Sequence, residues 1–112
     1  MRDGDGGVIV NITSVHEHIP KAALGMLTRS FALELAEDGI RVAAVAPGAI
    51  ATPRNEEADE LSDQIPAGRP GDPVEVAALV SYLVSDEARY VSGTSVVIDG
   101  AMTQQVVADP AW

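Results

Sequence analysis

Residues 12–27 read ITSVHEHIPKAALGML and place a hydroxyl pair, Thr13-Ser14, shortly before Lys21. A hydroxyl just past a strand can hydrogen-bond a carbonyl or alkoxide oxygen, and a lysine at the same rim can hold a ribose or depress a neighbouring acid's pKa. The same spacing also suits a helix start with a solvated lysine, and local chemistry does not separate the two. The second group is PGAIATP, Pro47 to Pro53. Proline and glycine straight after an apolar run bend the chain and turn backbone N–H groups outward. With the Thr52 hydroxyl, such groups can bind a carboxamide or a phosphate; an ordinary Pro-Gly turn has the same sequence. His16-Glu17-His18 invites a metal reading, but histidines two apart point to opposite sides of an extended chain and no HExxH is present. Gly4, Gly6 and Gly7 precede an apolar run, whereas a GxGxxG turn links a strand to a helix.

The elements that must position these groups follow from periodicity. Residues 8–13, VIVNIT, are nearly continuously apolar and β-branched, as in a parallel strand buried on both faces. From Lys21 to about Glu37, Leu24, Leu27, Phe31 and Leu35 repeat at helical spacing and predict the buried face. Asp38-Gly39 supplies the stop. Residues 40–46, IRVAAVA, predict a second strand ended by Pro47-Gly48. Residues 54–66 are polar and predict a mobile loop with one or two loose helical turns. Asp72-Pro73-Val74-Glu75 combines an N-cap, a proline at the first helical position and a capping-box glutamate, so a helix runs over 73–84. SVVID at 95–99 predicts a third strand. The order β-α-β-loop-α-β implies an α/β fold on a parallel sheet of about three strands, in one domain over 1–112 with a tail from 101. Ligands of such sheets sit at the carboxyl ends of the strands, here Thr13-Ser14, Pro47 to Pro53, and Asp99-Gly100.

Composition narrows the classes further. Seven basic against 17 acidic residues give a net charge of −10, with no basic cluster, which argues against nucleic acid or anionic membrane as partners. No cysteine is present, so disulfide and thiolate chemistry are excluded and redox chemistry requires a bound cofactor. No apolar run is long enough for a membrane span, and a cytoplasmic protein is expected. Among 112 residues, burial of a core is limited and association with another chain is expected.

Taken together, VIVNITSVHE, KAALGMLTRSFALELAEDGIRV, PGAIATP and GRPGDPVEVAALVSYLVSDEARYVSGTSVVIDGAMT resemble the carboxy-terminal half of a short-chain dehydrogenase/reductase, and among these the glucose dehydrogenase type with its SVHE. The resemblance is collinear from about Gly6 to Thr103. It implies a partial Rossmann-like, doubly wound sheet and an NAD- or NADP-dependent oxidoreductase that exchanges a hydride with a small alcohol or carbonyl, a sugar being the narrower expectation. By resemblance, Ser14 and Lys21 are catalytic: Ser14 orients the substrate, and Lys21 holds the nicotinamide ribose and tunes a tyrosine. By resemblance too, Pro47, Gly48, Ile50 and Thr52 bind the cofactor, and the segments 73–84 and 95–99 form a homo-oligomer interface. The departures are equally specific. The family's YxxxK would need a tyrosine four residues before Lys21, where Glu17 stands; Tyr82 and Tyr90 lie elsewhere. The Pro20-Lys21 join therefore reads as an internal deletion, and the glycine-rich pyrophosphate turn has no counterpart. The resemblance thus implies a chain inactive or incomplete on its own, the alternative being a non-catalytic remnant or oligomerisation module.

Overall fold

The computed structural model describes residues 6–15, 21–53 and 56–104, leaving aside the side chains of Lys21, Ala22, Glu56 and Glu57. Three strands, β1 (Gly7–Ile12), β2 (Ile40–Pro47) and β3 (Thr94–Ile98), form one sheet in the order β1-β2-β3, both pairings parallel. Helix α1 (Lys21–Leu35) connects β1 to β2, and helix α2 (Pro73–Val84) precedes β3. This is the three-stranded α/β architecture expected from the sequence, with strand limits displaced by one residue.

Alternation along β2 places the two helices on opposite faces. Ile40 and Val42 pack with Ala32 of α1, while Ala43 and Val45 pack with Leu83 of α2. From Val42 to Val45 the central strand is almost wholly buried, as a parallel strand covered on both sides must be. Alanines dominate it, so the helices approach closely, and α1 presents the small Thr28 and Ala32 to the sheet. This corrects the expected face of α1. Leu24 and Leu35 are partly buried, but Leu27 and Phe31 remain about half exposed, because the bulky stripe lies one flank away from the small one that the close approach demands.

The helix ends follow their local chemistry. Gly39, at φ 72°, takes the left-handed conformation after a 3₁₀ turn at Ala36–Asp38 and donates its N–H to the Ala36 carbonyl at 3.0 Å. At the start of α2, Asp72 accepts from Val74 N at 3.0 Å, and Glu75 Oε1 accepts from Asp72 N at 3.0 Å, completing the expected capping box. Arg69 closes on the same carboxylate, Nη1 to Oε1 at 2.7 Å and Nη2 to Oε2 at 3.0 Å. The Arg69 hydrogen bond, with that from Asp72 N, pulls the Glu75 carboxyl from 4.5 to about 2. The paired carboxylate in turn raises the Arg69 pKa.

The described part of the polar segment after β2, residues 56–65, is packed on the rest of the chain. Glu56–Gln64 forms a 3₁₀ run, and Ala58 and Ile65, with Leu61 alongside, pack against Ala49 and Met102. Spacings of three and four residues align these apolar side chains on one side of the turn. Farther along, Arg41 at the amino end of β2 donates to the Ser85 and Val91 carbonyls at 3.3 and 3.2 Å. Beside it Val42 N donates to Ser92 Oγ at 3.1 Å and Gly93 N to the Val42 carbonyl at 2.7 Å. Among the described residues no helix is long and apolar enough to cross a membrane.

Candidate functional site

The carboxyl ends of the three strands meet at one rim. Past β1, Thr13 N donates to the Val45 carbonyl at 2.7 Å and Thr13 Oγ1 to the same oxygen at 3.2 Å. The next residue but one, Val15, donates to the Pro47 carbonyl at 3.1 Å. The β1 loop that carries Ser14 is therefore laced on both sides to the end of β2. Ser14 itself is partly buried and lines a hollow of about 50 Å³ with Thr13, Leu24, Ala46, Ser95 and Val97.

Leu24 gives the placement of the α1 start. It stands three residues after Lys21, hence on the same side of the helix, and shares the hollow with Ser14. The backbone of Lys21 opens α1 at this rim; its side chain, like Glu17 and the His16 and His18 pair, lies outside the described residues. Among the described residues no group of three or more His, Asp or Glu side chains is arranged to hold a metal ion.

The segment from Pro47 to Thr52 crosses from β2 to the loop before α2. Gly48 N donates to the Ile98 carbonyl at 3.0 Å, and a Cβ built on Gly48 would lie 2.6 Å from Asp99 Cβ and 3.1 Å from its Cα. Glycine is thus required by the close passage of β3 rather than by backbone conformation. Beyond it, Gly71 N donates to the Ala49 carbonyl and Ala51 N to the Gly71 carbonyl, both at 2.8 Å, and Ile50 bridges to Gly71 in parallel fashion. The amides of Gly48 and Ala51, which a turned-out Pro-Gly segment was expected to offer, are already engaged inside the protein. Pro47, Gly48, Ile50 and Thr52 are all partly buried along this crossing. A small cavity of about 90 Å³ lies beneath Ile50, walled by Gly71, Glu75, Ile98 and Asp99.

Asp99 organises the third strand end, a role the sequence reading missed by noting it only as a rim position. Its Oδ1 and Oδ2 accept from Ala101 N and Thr103 N, each at 2.9 Å, folding the 3₁₀ turn Met102–Gln104 back over the sheet end. Ala101 takes φ 72° to make that turn. The Asp-Gly pair after a strand was the available signal, since an aspartate there bonds backbone amides just ahead of it.

The comparisons with known proteins agree with this arrangement. A family model described as enoyl-(acyl carrier protein) reductase matches residues 1–103. The 3beta-hydroxysteroid dehydrogenase 1 of Eggerthella lenta is 47% identical over 87% of this chain and 44% of its own length. The uncharacterized oxidoreductase YohF of Escherichia coli K12 is also 47% identical, over the whole of this chain and 49% of its own. Among solved structures, acetoin dehydrogenase from Enterobacter cloacae superposes with a TM-score of 0.80 at 46% identity, over 95% of this chain and 46% of that one. The chain thus spans about half the length of the relatives it matches. Against YohF, 127 aligned positions set beside 112 residues mean that the relative carries at least 15 positions this chain lacks. On its parallel sheet, its rim and these matches, the chain belongs to the short-chain dehydrogenase/reductase family.

Proposed function

We propose that the chain provides the substrate and nicotinamide side of an NAD- or NADP-dependent oxidoreductase acting on a small alcohol or carbonyl compound, and that alone it does not turn over. One observation carries the reading: the Val15–Pro47 hydrogen bond fixes the Ser14 loop to the segment that runs on to Thr52, so both groups face one rim. A nicotinamide cofactor, when bound, supplies or accepts the hydride. In this reading Ser14 holds the oxygen of the substrate as negative charge develops on it, a preorganised donor of the kind that stabilises an alkoxide. Lys21 holds the ribose. Ile50 and the Thr52 hydroxyl hold the carboxamide end, while Pro47 and Gly48 set the path of the backbone between them.

The residues present suit the nicotinamide end and not the pyrophosphate. No glycine-rich turn joins a strand to a helix N-terminus here, and that contact supplies much of a dinucleotide's binding energy. The family's tyrosine proton donor is also lacking at the position four before Lys21, where Glu17 stands. We place the missing tyrosine among the positions that YohF carries and this chain lacks, at the Pro20-Lys21 join. The relatives' names speak of a hydroxysteroid and of acetoin, which supports alcohols and carbonyls as a class and leaves a sugar as the narrower reading. A cytoplasmic location goes with this reading.

Titration of the chain with NADH and with NADPH, followed by Trp112 and cofactor fluorescence, tests the incompleteness. The expected result is no saturable binding at micromolar concentrations; saturable binding would overturn it. For the activity itself, the chain fused behind the portion of YohF that it does not span, with the YohF residues restored before Lys21, is expected to oxidise NADH or NADPH with a small ketone. Ser14→Ala in that fusion should lower the rate about 100-fold or more. A fused chain that binds cofactor but shows no loss with Ser14→Ala refutes the assigned role.

A second reading, an assembly module without catalysis, is favoured by the exposed Val74, Tyr82 and Val84 of α2 and by Tyr90 and Val97 near β3. It places a homo-oligomer interface on segments 73–84 and 95–99. A monomer by light scattering would count against it.

A further inference from the structure

The end of the sheet opposite the rim has more hydrogen-bond donors than acceptors. Arg41 stands at the amino end of β2, six residues before Pro47, which puts it about 20 Å from the rim at ~3.3 Å per residue. A hollow of about 480 Å³ opens there, lined by the polar Arg41, Arg89, Asp86 and Ser92 and, among its apolar walls, by Val8 and Val84. Val8 is the registered neighbour of Arg41 across the strand pair. The whole chain, of net charge −10, has seven basic side chains, and two of them line this one hollow.

The surplus follows from the bonds already made. The Arg41 guanidinium donates to the Ser85 and Val91 carbonyls, which fixes its plane and leaves its other N–H groups over. Ser92 Oγ accepts from Val42 N, so its hydroxyl proton is still to be donated. The Arg89 guanidinium makes no hydrogen bond or ion pair among the described residues. Against these donors the lining carries the one carboxylate of Asp86, and two guanidiniums less one carboxylate leave a charge of +1. Asp38 and Glu87 stand next to lining residues in sequence but are not part of the lining. Donors on a fixed frame suit a ligand group that only accepts. A guanidinium meets the oxygens of a phosphate or carboxylate with paired N–H bonds, and Arg41, already held, loses little freedom in doing so.

We propose that this hollow is a binding site for a small organic anion, its phosphate or carboxylate head on Arg41, Arg89 and Ser92 and its apolar body against Val8 and Val84. Such a ligand joins β1 and β2 to the connection between α2 and β3 and so fastens the amino end of the sheet. The site is remote from Ser14 and Thr52 and independent of the hydride-transfer reading, so either can fail without the other.

The test follows the backbone amides of the full chain by NMR while phenyl phosphate is added at constant ionic strength. Saturable shifts with a Kd of about 1 mM or tighter are expected at Val8, Arg41, Arg89 and Ser92, with none at Ser14 or Gly48. Benzyl alcohol, which keeps the ring and lacks the charge, should not compete. Arg89→Gln should weaken binding about tenfold or more by loss of charge-assisted bonds, with an unchanged circular dichroism spectrum because its side chain is exposed. Asp86→Asn should tighten binding about threefold by removing a like charge. Arg29→Gln, in α1 beside a different hollow, should leave it unaltered. No saturable shift, equal binding of benzyl alcohol, or equal weakening by Arg29→Gln and Arg89→Gln overturns the proposal. So does a chain that binds only when Asp3→Asn and Asp5→Asn are combined, since its own amino-terminal carboxylates then fill the hollow.

Discussion

Gly48→Ala isolates the packing of the rim in a single methyl group. Gly48 is not among the residues with positive φ, so alanine pays no backbone strain there and the whole effect is steric. The new Cβ would stand 2.6 Å from Asp99 Cβ and 3.1 Å from Asp99 Cα, atoms fixed to the backbone at the end of β3. Relief requires β2 and β3 to part by close to an ångström, against the hydrogen bond from Gly48 N to Ile98 O. Overpacking of this kind costs about 1–3 kcal/mol. For a domain of this size that is a fall in melting temperature of roughly 4–15 °C, read by thermal denaturation followed by circular dichroism. Gly71→Ala is the control: its Cβ would meet Ile50 Cδ1 at 2.8 Å, the free end of a side chain that can rotate away, and the next neighbour lies at 3.8 Å. Gly71→Ala should therefore cost under ~1 kcal/mol. If the two variants melt together, the close passage of β3 over Gly48 is not what demands glycine there.

Leu83, 1% exposed between α2 and the sheet, is the largest fully buried side chain among the described residues; Leu83→Ala should cost about 2–5 kcal/mol and lower the urea midpoint at unchanged m-value. Asp72→Ala removes the N-cap of α2 and should cost about 1 kcal/mol by the same denaturation, with Asp72→Asn largely restoring it. The Glu75 carboxyl, lowered to about 2 from an ordinary 4.5, contributes stability that is complete above pH 4.5 and is lost as pH falls toward 2. Both partners are well exposed, so the effect is small and salt weakens it. A pH series of melting temperatures should show a shallower acid decline for Glu75→Gln than for the unaltered chain, and identical declines would refute the assignment.

Where one signal dominated, the sequence was legible. VIVNIT and IRVAAVA have too many β-branched and small apolar residues in too short a run to be anything but strands, but burial on both faces holds only for IRVAAVA: β1 ends the described sheet, partly buried from Gly7 to Val10 and exposed at Asn11 and Ile12. Asp72-Pro73-Val74-Glu75 forms the capping box that its order of residues dictates. Asp38-Gly39 ends α1 because glycine alone takes the left-handed turn without strain. Helix α1 was misread on its face because two apolar stripes run along it, and periodicity measures spacing without weighing size. The close approach over the alanines of β2 chooses the smaller stripe. Gly25 shows the same limit from the other direction: a glycine inside a helix reads as a site of close packing, yet a Cβ there would meet only Arg29 Nη1 at 4.0 Å among the described residues. Polarity likewise hid the packing of residues 56–65, where three apolar side chains suffice to seat an otherwise acidic segment. At the rim, Ser14 and the crossing from Pro47 to Thr52 could be located from the strand ends, but the partners of the Gly48 and Ala51 amides could not, since they depend on where β3 and residue 71 pass.

The two hydrogen bonds of Arg41 set a length. Its guanidinium holds the Ser85 and Val91 carbonyls at the two ends of the connection between α2 and β3, and the Ser92 hydroxyl and Gly93 amide fasten the following residues to Val42. An extra residue anywhere between 85 and 91 would pull one carbonyl out of reach and slip β3 against β2, turning its inward side chains outward. Insertions and deletions should therefore be purged from this short connection.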